Sequence, residues 1–271
     1  MAEALVHRGL RATLISRSNP VFPTVDPVFG QAIEAEMHGK GVRIRAGCVV
    51  TAIERAEGTL AVCGRGDLRD ESHLVLIAVG TRPETHMAHE AGLKLGTRDA
   101  IVTERAMRMN IPNVFAAGDC VETWHRVLER NTWLPLGTIA HKQGRVAGKT
   151  ILGGGQLFPD CVGTQVVKVF DIVAARTGPL ETEALKAGFE PFTVETAVWD
   201  HKAYYPGARQ LRIRVTGNLS SGRLLGAQIL GPWPSEIAKR IDIFATALFH
   251  SMTVDAVSDL DLSYAPPFAS P

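Results

Sequence analysis

A run of three glycines, Gly153 to Gly155, followed closely by Pro159, divides this chain into two parts with different hydrophobic patterns. Glycine favours irregular backbone and proline cannot continue a helix, so a cluster of this kind predicts a loop between two folding units. With 271 residues, 45% of them hydrophobic, the chain is long enough to bury about two cores. The segments on either side of these glycines are therefore treated separately.

The part before the glycines alternates between helical and extended patterns. Phe29 to His38 has helical spacing, with Phe29, Ile33 and Met37 on one face. The continuous apolar run Leu74 to Val79 is typical of a parallel strand that is covered on both faces. This order of elements predicts the remains of a doubly wound α/β unit. The other predicted elements are helices at Ala2 to His7 and Gln143 to Leu152, and strands at Ala12 to Ile15, Val42 to Ile44, Val49 to Ile53, Leu60 to Cys63 and Val114 to Ala117.

The part after about Asp160 has strands in series, separated by turns rich in Gly, Pro and Ser. Strands in series with helices to one side are typical of an α+β domain. The whole chain is therefore predicted to contain partial doubly wound α/β domains followed by an α+β domain. Its predicted strands are Gln165 to Phe170, Phe192 to Val198, Leu211 to Val215 and Leu224 to Leu230, and its predicted helices are Thr182 to Ala187 and Glu236 to Phe249.

The opening of the chain lacks a feature that doubly wound nucleotide domains ordinarily have. Such a domain begins with a strand, a glycine-rich turn and a helix, and the dinucleotide pyrophosphate lies at the helix N-terminus. Here the sequence starts within the helix Ala2 to His7, and no GxGxxG pattern occurs at a strand-to-helix turn. One interpretation is a small sheet protein that never had the motif. The other, which the motifs below favour, is a chain without its N-terminal segment.

The segment Ile111 to Cys120, IPNVFAAGDC, carries the most specific pattern. It resembles the second flavin fingerprint of the pyridine nucleotide-disulfide oxidoreductase family, in which an apolar strand leads into a Gly-Asp pair. The resemblance implies that Gly118 lets the backbone pass close to FAD and that Asp119 accepts a hydrogen bond from a ribityl hydroxyl. The alternative is an ordinary Gly-Asp turn that ends a strand.

Two further segments extend this resemblance. Leu76 to Glu84, LIAVGTRPE, resembles the family's crossover between the nucleotide and flavin domains, with Gly80 at the turn. Ala140 to Gly148, AHKQGRVAG, resembles the helix whose N-terminus faces the flavin pyrimidine ring, where it would stabilise negative charge. An ordinary amphipathic helix is the alternative. The residues implied at this helix N-terminus are Pro135, Leu136, Gly137 and Thr138.

The C-terminal part of the chain resembles one group of enzymes within this family. His201 to Val215 and Ser263 to Pro271 are similar to the dimerisation domain of coenzyme A-disulfide reductases, and NADH oxidases and persulfide reductases share parts of it. The chain has three tyrosines, Tyr204, Tyr205 and Tyr264, and all lie in these segments. The resemblance implies a homodimer in which tyrosines of one subunit reach the other subunit's active site, where a hydroxyl can donate to a thiolate or oxyanion. Interface packing by amphipathic aromatic rings is the alternative.

The residues after the first predicted strand, Ser16-Arg17-Ser18, bear on the nicotinamide cofactor. An NADH site usually has a carboxylate here that binds the ribose 2′-hydroxyl, whereas an arginine suits a 2′-phosphate. Arg17 therefore favours NADPH over NADH. A solvated surface arginine is the alternative.

The four cysteines, Cys48, Cys63, Cys120 and Cys161, show no CxxC spacing and lie near no histidine cluster. This pattern predicts buried structural thiols and supports neither a metal site nor a dithiol pair. None of the four occupies the position of the family's catalytic cysteine.

Charge and hydropathy argue against two classes of protein, those that bind nucleic acid and those that span a membrane. A formal net charge of +1 gives no basic excess for nucleic acid. No apolar run approaches the roughly 20 residues needed to span a bilayer. We therefore expect a cytoplasmic protein whose partners are a small disulfide or persulfide substrate and a second copy of itself.

These observations combine into one interpretation with three segments. Residues 1–80 are predicted to form a partial NAD(P)-binding domain, 81–158 the C-terminal part of an FAD-binding domain, and 159–271 a dimerisation domain. We interpret the chain as an N-terminally truncated FAD-dependent NAD(P)H oxidoreductase that reduces a disulfide, a persulfide or O2, and expect it to be inactive alone. The alternative is a non-catalytic dimerisation or binding module that has lost the flavin and redox-cysteine segment.

Overall fold

The computed structural model describes residues 1–269. Ser270 and Pro271, the end of the second segment that resembles the dimerisation domain, lie outside the described residues. The helices are α1 (Ala2–His7), α2 (Pro27–Gly39), α3 (His86–Glu90), α4 (Gly137–Ile151), α5 (Glu181–Lys186), α6 (Ile237–Phe249) and α7 (Val254–Ser258). The strands are β1 (Thr13–Ile15), β2 (Arg43–Arg45), β3 (Val50–Ala56), β4 (Thr59–Gly64), β5 (Arg69–Ser72), β6 (Thr123–His125), β7 (Arg130–Thr132), β8 (Gln165–Val169), β9 (Ile172–Thr177), β10 (Pro191–Trp199), β11 (Gln210–Asn218) and β12 (Leu224–Pro232).

The N-terminal part contains the parallel pair expected of an α/β unit. Strands β1 and β2 are parallel, and helix α2 connects them in sequence. The predicted apolar face of α2 is buried at Phe29, Ile33 and Met37. Strands β3, β4 and β5 form a separate antiparallel sheet. The α/β prediction for this part is confirmed.

The C-terminal part is built on a five-stranded antiparallel sheet in the order β10-β11-β12-β9-β8. Helix α6 packs against the sheet and buries Ile237 and Ile241 against Leu211 and Ile229. This arrangement confirms the α+β prediction. Strand β9, which the sequence did not predict, lies between β12 and β8.

The apolar run Leu74 to Val79 does not form the predicted strand. It is extended, and no backbone hydrogen bond within the described residues involves it. Four of its side chains are exposed, those of Leu74, Leu76, Ile77 and Val79, and Val79 reaches 89%. A parallel strand needs a hydrogen-bonded neighbour and a layer on each face, and the described residues provide neither. The prediction of a buried strand here is therefore wrong for this structure.

The two parts of the chain share a core and an ion-pair network. Phe29 on α2 packs in one cluster with Phe170 and Leu230 of the C-terminal part. Asp26, at the N-terminus of α2, is buried, and its carboxylate accepts hydrogen bonds from Arg214 Nε at 2.7 Å and Gln228 Nε2 at 2.6 Å. The N-terminal part is therefore fixed to the large sheet by apolar and charged contacts together.

Within the described residues, no helix has the length and apolar character needed to cross a membrane. The same residues contain no group of three or more His, Cys, Asp or Glu side chains that could hold a metal ion.

Candidate functional site

The Gly118-Asp119 turn has the geometry that its sequence predicts, although the approach to it differs. Gly118 has a backbone φ of +101°, which residues other than glycine rarely adopt. The Asp119 side chain is exposed beside it. The predicted strand Val114 to Ala117 is not formed, because only Phe115 makes a β-bridge, to Arg108. One bridge on one side is too little pairing for a strand, so this prediction is corrected to an extended segment.

Helix α4 is joined to this turn by a residue that the sequence analysis missed. Gln143 is fully buried, and its Oε1 accepts a hydrogen bond from the backbone N–H of Gly118 at 3.0 Å. It lies on the same helix face as the buried Ile139 and Val146. A polar residue at helical spacing within an apolar face was the signal that could have found it. Its Nε2 is buried and has no partner among the described residues.

Loss of this contact gives a first prediction. Gln143→Met keeps the length of the side chain but removes the acceptor, so the partly buried Gly118 N–H loses its partner. We expect the free energy of unfolding to fall by about 1–3 kcal/mol, with faster hydrogen exchange at Gly118. Urea unfolding and amide exchange measure both effects.

Gln143→Glu is the matched control. It keeps Oε1 and changes only the atom that has no partner, so the Gly118 amide should remain protected at a pH where the new carboxyl is neutral. Equal exchange at Gly118 in wild type and Gln143→Met would show that Gln143 does not hold the turn.

The N-terminus of α4 is open to solvent and close to the turn. The helix begins at Gly137, six residues before the predicted start, and Leu136 at its N-cap offers no side-chain acceptor. Gly137 and Thr138 are exposed in its first turn. Trp133 Nε1 donates to the carbonyl of Asp119 at 2.7 Å, which brings the residues before Pro135 against the Gly-Asp turn. The structure therefore brings together the predicted residues Gly118, Asp119 and Pro135 to Thr138.

These residues fit the flavin group that the sequence resemblance implies. The glycine backbone leaves open space where a side chain would lie. The exposed Asp119 carboxylate can accept from a hydroxyl, and an uncapped helix N-terminus favours electron-rich groups. Gly80 has φ +105° and is also exposed, but it lies in the segment without backbone hydrogen bonds, and no described contact links it to the turn.

Arg17 lies at the C-terminal end of β1, where the sequence analysis placed a nicotinamide site. Its side chain is exposed. Ser16 Oγ and Ser18 Oγ are hydrogen-bonded at 2.9 Å, and Ser16 N donates to Arg45 O at 3.0 Å. The arginine therefore projects from a turn that is ordered on both sides.

The three tyrosines are brought into one region by two chain segments. Tyr204 and Tyr205 lie in the loop between β10 and β11, and Tyr264 lies in the segment after α7. Lys202 joins the segments, because its backbone N–H donates to Pro266 O at 3.1 Å and its ammonium lies 5.5 Å from the centre of the Tyr264 ring. All three tyrosines are exposed, at 75%, 43% and 49% respectively.

The loop is anchored by the buried carboxylate of Asp200. Its Oδ1 accepts from Arg209 N and is 2.9 Å from His201 Nδ1, and its Oδ2 accepts from Ser235 Oγ at 2.7 Å. Burial opposes ionisation, but the hydrogen bonds from Arg209 N and Ser235 and the charge of His201 outweigh it and lower the pKa of Asp200. Arg240 on α6 donates to Asp200 O at 2.6 Å, which ties the loop to the helix.

Burial opposes ionisation of two of the four cysteines. All four are free, and burial raises the pKa of Cys161 to about 11. Burial also raises the pKa of Cys120, which follows the Gly-Asp pair. Cys161 is buried as predicted, whereas Cys48, Cys63 and Cys120 are only partly buried, which corrects the prediction for those three.

Two cavities of about 410 and 420 Å³ lie on either side of Trp124 and Asp160. None of the predicted site residues lines them. The charges in their walls are paired with each other, as Arg126 with Asp160 and Arg223 with Glu129. Because the charges of these cavities are paired within the protein and no predicted site residue lines them, we do not take them as the candidate site.

Comparison with known proteins agrees with this arrangement. The sequence matches the pyridine nucleotide-disulphide oxidoreductase family over residues 1–144 and the dimerisation domain of that family over residues 164–270. The chain belongs to the pyridine nucleotide-disulphide oxidoreductase family.

Three individual proteins are similar to this chain over 99% of its length. The chain is 36% identical to a CoA-dependent NAD(P)H sulfur oxidoreductase of Pyrococcus furiosus, over 99% of this chain and 60% of that protein. It is 29% identical to a coenzyme A disulfide reductase of Staphylococcus aureus, over 99% of this chain and 60% of that protein. An NAD-dependent persulfide reductase from A. fulgidus has a similar structure, with a TM-score of 0.94 and 36% identity, over 99% of this chain and 50% of that one. The chain thus spans about 60% of the length of these curated relatives.

Proposed function

We propose that this chain is the flavin-completing and dimerising part of an FAD-dependent oxidoreductase that uses NAD(P)H to reduce a disulfide or persulfide. The observation that carries the proposal is the junction of the Gly118-Asp119 turn with the N-terminus of α4 through Gln143 and Trp133. The names of the similar proteins support a sulfur acceptor, and an NADH oxidase among them leaves O2 as a second acceptor.

The proposed division of the chain follows the sequence analysis. Residues 1–80 contribute the nicotinamide part with Arg17, which favours NADPH. Residues 81–158 contribute the flavin contacts at Gly118 and Asp119 and at residues 135–138. Gly80, the last residue of the preceding segment, would contact the flavin from the crossover. Residues 159–271 contribute a homodimer contact and the tyrosines.

The roles of this chain's residues follow from their chemistry. Asp119 would hold a ribityl hydroxyl, and the N–H groups of Gly137 and Thr138 would stabilise negative charge on the pyrimidine ring. The chemistry that FAD supplies when bound is the uptake of a hydride from NAD(P)H and the release of its electron pair. In the overall reaction NAD(P)H and one proton reduce R–S–S–R to two thiols. The S–S bond breaks, NAD(P)+ forms, and the tyrosine hydroxyls would donate to the departing sulfur.

A flavin titration tests this proposal on the chain itself. Because the sequence has no GxGxxG cradle, we expect FAD to bind this chain weakly, with quenching of flavin fluorescence. Asp119→Ala should weaken binding about 10- to 100-fold, as expected for a lost hydrogen bond to a charged group of about 1.5–3 kcal/mol.

Glu104→Ala is the control, since Glu104 is an exposed acid whose one ion pair among residues 1–269 is with the neighbouring Arg108. Equal affinity of FAD for wild type and Asp119→Ala would remove Asp119 from the site. Stoichiometric FAD retained through purification would instead show that the chain needs no further pyrophosphate cradle.

A further inference from the structure

A side chain holds the carbonyl of Asp119, whereas a main-chain group holds the carbonyl before it. Gly118 O accepts a hydrogen bond from Val121 N at 3.0 Å. Asp119 O instead accepts from the indole Nε1–H of Trp133 at 2.7 Å. The orientation of the peptide bond that follows Asp119 therefore depends on where this indole lies.

The carboxylate of Asp119 is exposed and receives no support of its own. Within residues 1–269, none of the hydrogen bonds or ion pairs of the protein reaches it. Its direction is therefore set by the backbone to which it is attached. That backbone is held by Gln143 at the N–H of Gly118 and by Trp133 at the carbonyl of Asp119. A carboxylate that is to meet one hydroxyl benefits from this support, because a preorganised group loses less freedom on binding.

Trp133 is placed by the hairpin β6-β7 and by a buried carboxylate. It directly follows β7, which pairs with β6. The buried Glu122 accepts from Asn131 Nδ2 at 2.6 Å and from Thr97 N at 3.0 Å. The same carboxylate therefore fixes the strand end before Trp133 and the turn that contains Thr97.

Arg98, in that turn, lies over the indole of Trp133. Its guanidinium carbon is 5.9 Å from the centre of the ring, within the range in which a cation is attracted to an aromatic face. Arg98 and Asp99 both have left-handed backbone, with φ of +56° and +63°. This tight turn brings an exposed arginine back over the tryptophan.

We infer that Trp133 is a positioning residue for the contact between Asp119 and the flavin, and that Arg98 keeps its indole in place. This inference rests on the proposed function, because that function assigns Asp119 to a ribityl hydroxyl. Trp133 acts through the carbonyl of Asp119, and Arg98 acts through the ring of Trp133. Neither side chain needs to touch a reacting atom.

A double-mutant cycle on FAD affinity tests Trp133 in the full chain, with quenching of flavin fluorescence as the measurement. Trp133→Phe keeps an aromatic ring and removes the donor, so we expect FAD to bind about three- to tenfold more weakly, the effect of one neutral hydrogen bond. In Asp119→Ala the same substitution should change the affinity by no more than about twofold, because residues that act through one another are not additive.

Trp124→Phe is the matched control. Trp124 lies in the same hairpin, and its indole makes no hydrogen bond within residues 1–269. This variant should bind FAD as wild type does.

Hydrogen exchange of the indole N–H tests Arg98 without flavin. The chain has four tryptophans, so ¹⁵N-labelled protein gives four indole signals, and the signal of Trp133 is the one that Trp133→Phe removes. We expect Arg98→Gln to make this N–H exchange about two- to fivefold faster, as expected when a cation over an exposed ring is lost. Arg98→Lys keeps the cation and should restore slow exchange.

The results that overturn the inference are distinct. An equal loss of FAD affinity on Trp133→Phe in both backgrounds would show that Trp133 supports the fold in general. Unchanged indole exchange in Arg98→Gln would remove Arg98 from the arrangement. If Asp119→Ala weakens FAD binding and Trp133→Phe does not, this inference alone fails. Absence of FAD binding to wild type would instead overturn the proposed function, and the inference with it.

Discussion

Asp26→Ala is expected to lower the free energy of unfolding by about 3 kcal/mol. The Asp26 carboxylate is buried where α2 meets the large sheet, and it accepts from Arg214 and Gln228. Removal of one partner from a buried ion pair typically costs about 3–5 kcal/mol, because the other charge is left without compensation. We expect the lower end of that range because Arg214 also donates to Glu195. Urea unfolding gives the value.

The position of Asp26 also predicts where the structure will loosen. Its backbone N–H donates to Gln228 Oε1 at 2.7 Å, and Arg176 donates to the nearby Thr24 O at 2.9 Å. These contacts hold the end of the loop that carries Arg17. Hydrogen exchange should therefore rise in residues 16–26 in Asp26→Ala before it rises in the large sheet.

Glu54→Ala is the matched control for this prediction. Glu54 pairs with Arg69 on the sheet β3-β4-β5, and both side chains are more than half exposed. Exposed pairs contribute about 0–1 kcal/mol, so this variant should unfold almost as wild type does. A loss for Asp26→Ala no larger than that for Glu54→Ala would mean that the two parts are held together by apolar packing alone.

The sequence was sufficient to predict those helices and strands whose hydrophobic pattern is local. Helix α1 begins and ends at the predicted residues, and the buried face of α2 is the predicted one. The large sheet was predicted strand by strand except for β9. The turn at Gly118 could also be predicted, because a backbone with positive φ favours glycine.

The sequence was insufficient where the structure depends on distant partners. The run Leu74 to Val79 has the composition of a covered strand, but whether it pairs depends on neighbours that its own pattern does not specify. Strand β9 follows β8 through a turn at Phe170 and Asp171 without glycine or proline, so no local turn signal marks where it begins. Both errors arise from tertiary context overriding local pattern.

In the candidate site too, residues within local motifs were predicted and residues that act through distant contacts were not. The motif residues at positions 118, 119 and 137 were found from their resemblance to a family, whereas Gln143 and Lys202 were not. Each of these two connects segments that are distant in sequence, Gln143 to Gly118 and Lys202 to Pro266. Residues that join motifs carry little local signal, so three-dimensional contacts were needed to recognise them.

Tyr264→Phe is expected to slow reduction of the sulfur acceptor about 100-fold while leaving hydride transfer from NAD(P)H nearly unchanged. The substitution keeps the ring that contacts Lys202 and removes only the hydroxyl. When an S–S bond breaks, the departing sulfur carries negative charge, and a positioned donor typically contributes about 10²–10⁴-fold to such a step. Hydride transfer needs no proton at this position, so it should not depend on the hydroxyl.

Stopped-flow measurement of the two half-reactions separates these effects, in a full-length enzyme in which this chain is joined to an N-terminal flavin domain that carries the catalytic cysteine. The proline pair after Tyr264 supports the expectation, because Pro266 and Pro267 fix their own φ angles and favour extended geometry in the residues before them. The hydroxyl is therefore held away from the chain's own core, and Tyr264 is 49% exposed. Equal slowing of both half-reactions, or of neither, would assign Tyr264 to packing between subunits.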